Sequence, residues 1–127
     1  MRIIIGLILF LFSIQSANAQ ESELHKRALV AGFKAAFTCS ATFNAGKDYA
    51  EIARDELSMI MPDYRELMAF LPDPIINKVR KMVFVSYGEG LPPRIAVWRK
   101  HLGCTQLPIG ASRGDAAIVP TIELQPR

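Results

Sequence analysis

The chain has 127 residues, with 15 Lys and Arg against 12 Asp and Glu and a formal net charge of +3. That length suits one small domain and not two. A surplus so slight, with no basic block interleaved with aromatics, argues against nucleic-acid binding.

The first residues, "MRIIIGLILFLFSIQSANAQ", place Arg2 before an uninterrupted apolar run from Ile3 to Phe12, then a polar stretch ending in Ala17-Asn18-Ala19. Charged, apolar and small-residue segments in that order make a secretory signal over residues 1–19, cleaved between Ala19 and Gln20. A membrane-spanning helix needs roughly 20 apolar residues, so no stable membrane anchor is expected. The mature chain then has 108 residues, keeps fourteen basic residues against twelve acidic, and is periplasmic or secreted.

Export puts Cys39 and Cys104 in an oxidising compartment, where two thiols usually form a disulfide. They lie too far apart in sequence for a Cys-x-x-Cys redox motif. In the loop-entropy model a bridge across this loop stabilises the fold by about 4 kcal/mol. A zinc site would need His25 and His101 to join the cysteines, and neither histidine has ligand-like spacing to them. The expectation is a staple, with no metal and no cofactor.

Along the mature chain, "SELHKRALVA" places Leu24, Ala28 and Ala31 at helical spacing behind Ser22, which predicts a short amphipathic helix. In "GFKAAFTCSATF", Phe33, Ala35, Phe37, Cys39, Ala41 and Phe43 alternate with Lys34, Ala36, Thr38, Ser40 and Thr42. Period two predicts a strand with the Phe and Cys face inward. Asp48 and Glu51 then have capping-box spacing before Tyr49, Ile52, Ala53 and Leu57 on a helical face. Pro62 ends that piece, Asp63 and Glu66 repeat the capping pattern, and Pro72-Asp73-Pro74 stops the second.

"NKVRKMVFVSY" alternates again and becomes apolar on both faces toward its end, so this strand is expected to be covered on both sides there. "GEGLPP" is a turn, and "RIAVWR" a second strand of a β-hairpin. Pairing the hairpin with the Phe-rich strand would bring Cys104 to Cys39. After Cys104 periodicity is lost, and residues 108–127 read as an extended tail or linker. Arg113-Gly114-Asp115 matches an adhesion tripeptide, a match short enough to arise by chance. The expectation is thus an α+β module over residues 20–107: a small antiparallel sheet with helices packed on it, stapled by the disulfide.

No active site is legible. A serine nucleophile of the penicillin-recognising kind needs lysine one helical turn on, to take its proton. Here Ser40 is followed three residues later by Phe43, Ser58 by Met61, Ser86 by Glu89 and Ser112 by Asp115. There is no Gly-x-Ser-x-Gly elbow, no phosphate loop and no His-Glu-x-x-His helix. Asp55 and Glu56 read as a solvated helix face, and Trp98 as sheet packing.

The leader, "AGFKAAFTCSATFNAGKDYAEIARDEL", the strand pair and "PRIAVWRKHLGCTQLPIGA" nevertheless share one order with a known family. Over roughly Gly32 to Gly110 the chain resembles the N-terminal region of secreted β-lactamase-like serine hydrolases, related to class C β-lactamases and aminohexanoate-dimer hydrolases. Glu56-Leu57 matches an acidic-Leu pair of that family. Ala96, Val97, Trp98 and Arg99 match its Ala-Val-aromatic-Arg strand, and Gly103, Cys104 and Thr105 its Gly-Cys-Thr.

The resemblance implies amide or ester hydrolysis resting on a Ser-x-x-Lys, a tyrosine motif and a distal Lys- or His-containing strand motif, none of which any position here matches. The expectation is therefore a non-catalytic module, truncated or split, whose partner is the catalytic part of a hydrolase, with apolar strand edges that favour self-association. An alternative is a free-standing exported binding or inhibitory domain acting through a sheet edge or the apolar face of the Phe70 helix. A third is a hydrolase using carboxylates with Tyr49, Tyr64 or Tyr87.

Overall fold

The structure, a computed structural model, describes residues 2–125, with side chains described for residues 23–125. The expected leader and its cleavage point between Ala19 and Gln20 lie outside the residues whose side chains are described. Helix α1 (Arg2–Phe43) is followed by α2 (Tyr49–Asp55), a 3-10 turn (Leu57–Met59) and α3 (Pro62–Phe70). Strands β1 (Ile75–Asn77), β2 (Met82–Val85), β3 (Arg94–Arg99) and β4 (Gly103–Gln106) come next, then a 3-10 segment (Arg113–Ile118). The strands form one antiparallel sheet in sequence order, so the class is α+β.

The stretch from Gly32 to Phe43, expected as a strand, is the C-terminal part of α1. The small buried residues of α1 that face the sheet include Ala28, Ala31, Ala35 and Cys39, spaced by three and four residues, which is the helical repeat. Phe33 and Phe37, expected inward, are 44% and 45% exposed and stack on each other at 6.3 Å one turn apart. The alternation was an accident of an i,i+4 aromatic pair laid over an alanine-rich segment, and alanine is the strongest helix former. Small residues on the buried face let α1 lie close to β2, β3 and β4. Closest of all is Gly32, where a Cβ would strike the Gln106 side-chain amide and sit 3.0 Å from Arg94 Cζ.

Gly46, at φ +70°, turns the chain out of α1, and the Lys47 N–H returns to the Ala41 carbonyl at 3.0 Å. Asp48 caps α2 as expected: its carboxylate accepts from the Glu51 N–H at 2.9 Å, and the Glu51 carboxylate accepts from the Asp48 N–H at 3.1 Å. The second capping pattern does not form. Helix α3 starts with Pro62 in its first turn behind Met61, which makes no side-chain cap, so Asp63 lies inside the helix. Proline supplies a preset φ and has no N–H to satisfy at that position, which removes the need for an acidic cap.

The hairpin forms with Met82 opposite Val97 and Phe84 opposite Ile95. It starts later than the alternation suggested because Asn77 Oδ1 accepts from the Arg80 N–H and Lys81 takes φ +55°, which makes residues 78–81 a turn from β1. Both sheet faces are covered. Val83, Val85, Ala96 and Trp98 face the helices, whereas Met82, Phe84, Ile95 and Val97 face the C-terminal segment.

That segment is not an extended tail. Ala116 and Val119 are buried on the second face, and Arg99 donates to the Ala116 carbonyl at 2.8 Å. A sheet with two apolar faces needs two covers, and so short a chain supplies the second from its last residues.

Candidate functional site

Cys39 on α1 and Cys104 on β4 are bonded, their Cα atoms 6.1 Å apart. The bridge is the expected one, but a helix lying across the sheet brings the sulfurs together, where strand pairing was expected. Around it Trp98, directly across from Cys104 in the sheet, donates its indole N–H to Asn44 Oδ1 at 2.7 Å. The Lys81 ammonium lies over the Phe43 and Trp98 rings at 5.0 and 5.7 Å, a cation–π arrangement. Lys47 pairs with Glu56 at 2.6 Å, so Glu56 is a tether between the α1–α2 turn and the end of α2 and not part of a solvated face. Its partner in that reading, Asp55, pairs with the neighbouring Arg54.

A second constellation is polar. A cavity of about 560 Å³ opens among α1, α2, α3 and the turn before β1, with Lys34, Tyr49, Ser58, Arg65 and Asp73 in its wall. Lys34 is only 4% exposed and donates to the carbonyl of Leu71, which caps the C-terminal end of α3, at 3.0 Å and to the Met68 carbonyl in its last turn at 3.4 Å. Burial pushes its pKa down, and Asp73 pulls it back in part. Tyr49 donates its phenol proton to Asp73 at 3.0 Å. Burial first, then that hydrogen bond, raises the phenol far above its usual range and keeps it protonated. Tyr49 is thus a donor at neutral pH and not a base.

A third feature is apolar. Phe33, Phe37, Met59, Met61 and Met68 line a groove of about 370 Å³ beside the polar cavity. Flexible methionines beside aromatics make an adaptable contact surface.

The other predicted positions are accounted for locally. Ser40 accepts from Asn44, Ser58 donates to the Arg54 carbonyl, Ser86 to the Gly88 carbonyl and Ser112 to Asp115. His25 and His101 are exposed, the cysteines are consumed by the bridge, and among the described residues no three His, Cys, Asp or Glu side chains gather as a metal site. Of the three tyrosines proposed for hydrolysis, only Tyr49 is hydrogen-bonded to a carboxylate among the described residues; the Tyr64 ring lies under the Lys26 ammonium and Tyr87 is buried. In the adhesion-like tripeptide, Arg113 lies over the Phe84 ring at 4.8 Å and the Asp115 carboxylate accepts from Ser112, which holds its pKa below the usual value. Both of its charged ends are committed to the fold.

Lys34, Asn44, Arg65, Asp73 and Arg94 escaped the sequence reading. The signal for Lys34 was the 28-31-35-39 repeat of small residues, which places it on the buried side once the helical period replaces the alternating one. No family model matches the chain, and neither does any curated protein or solved structure. Among the described residues no helix is long and apolar enough to cross a membrane. The disulfide is compatible with a periplasmic or secreted protein.

Proposed function

We propose that this chain is a disulfide-stapled, non-catalytic module of an exported β-lactamase-like serine hydrolase acting on amides or esters. One observation carries the reading: the residues that bear the resemblance contact one another. Cys39 is bonded to Cys104, Asn44 accepts from Trp98, and Lys47 pairs with Glu56. A sequence pattern whose members hold each other serves a scaffold, and the chemistry would then come from a polypeptide carrying Ser-x-x-Lys.

The test is intact mass before and after reduction with alkylation, paired with chromogenic ester and β-lactam substrates. The expected product begins at Gln20, is two hydrogens light and turns over neither substrate. Saturable turnover abolished by a single Ser→Ala change would overturn the proposal.

The apolar groove favours the second reading, a free-standing exported binding or inhibitory domain. A neighbouring reading frame that encodes Ser-x-x-Lys supports the first, and a frame without it supports the second.

A further inference from the structure

The polar cavity is electrically incomplete. Lys34 is buried, yet its hydrogen-bond partners are two neutral carbonyls, and among the described residues no carboxylate lies within ion-pair distance of it. Arg65 of α3, exposed at the rim, lines the same cavity and has no ion-pair partner among the described residues. Against these two cations stands one carboxylate, Asp73, already hydrogen-bonded by Tyr49. A buried charge such as that of Lys34 is ordinarily paired, because leaving it uncompensated carries a desolvation penalty. The remaining wall includes Ala53, Leu57 and Met68, and the volume falls within the range of small-molecule sites, roughly 300–1,000 Å³.

We infer that this cavity binds a small monocarboxylate, its carboxylate between Lys34 and Arg65 and its short hydrocarbon body against Ala53, Leu57 and Met68. The sign of the ligand follows from the excess of cations. A compact inorganic anion would leave the apolar wall unused and bring a second negative charge to Asp73. An amine of the same length would meet two like charges. The inference stands apart from the hydrolase reading, because it uses none of the residues around the disulfide.

The test titrates the purified, disulfide-intact chain, labelled with 13C at lysine, with pentanoate, pentylamine and inorganic phosphate, following the Lys34 side-chain signal. The expected result is a saturable shift with pentanoate, weaker binding of phosphate and none of pentylamine. Arg65→Gln, an exposed change that leaves the fold intact by circular dichroism, weakens pentanoate binding by about tenfold or more, the loss of one charge-assisted contact. Lys34→Met removes binding, and its thermal melt shows whether it folds. No saturable shift with pentanoate, equal response to pentylamine or phosphate, or an Arg65→Gln chain that binds as the parent does would each overturn the assignment.

Discussion

Gly32 sets how closely α1 approaches the sheet. Alanine there gains about 1 kcal/mol of helix propensity, but its methyl meets Arg94 Cζ at 3.0 Å, and overpacking costs roughly 1–3 kcal/mol. Gln106 can swing aside, because its amide is the far end of a flexible chain. Arg94 cannot, because its guanidinium donates to the Ala28 and Leu107 carbonyls at 3.0 Å each. Gly32→Ala is therefore expected to lower stability by about 1 kcal/mol, read as a lower urea midpoint with an unchanged slope. An unchanged or higher midpoint would mean that the contact relaxes freely. Neither Arg94 nor Lys34 was legible as an internal residue, because a charged side chain carries no sign in the sequence that backbone carbonyls await it. Cys39 and Cys104 were legible, because the chain has two cysteines and one possible bridge.

Among the elements, α2 was read most closely, since its start rests on a local exchange of hydrogen bonds between Asp48 and Glu51. Asp48→Ala is expected to cost about 1 kcal/mol, while Asp48→Asn loses less, as thermal melts of both would show. If the two substitutions behave alike, the cap contributes little. The hairpin was equally legible, because Val83 and Val85 alternate with Met82 and Phe84 and both sets are buried. Helix α1 was misread because Phe33, Phe37, Cys39 and Phe43 satisfy period two by composition. What overrides it lies outside the segment: a sheet against which only small side chains at three- and four-residue spacing can lie. The C-terminal segment was misread for a related reason. The spacing of Ala116 and Val119 has meaning only once a second apolar sheet face exists to receive them.

For the whole molecule, the bridge joins the first helix to the last strand across a separation of 65 residues. A Cys39→Ala, Cys104→Ala chain is expected to lose about 2–5 kcal/mol, which lowers the melting temperature on the order of 10 °C or more for a domain of this size. A melt within a few degrees of the parent would show that packing of α1 on the sheet suffices alone.

The same bridge divides the chain topologically. Residues 39 to 104 form a closed covalent ring that contains α2, α3 and the first three strands. A single peptide-bond cleavage inside that ring, at the exposed Glu89-Gly90 turn for instance, would open it without releasing either piece. The nicked molecule would remain one particle until a reductant reached the sulfurs.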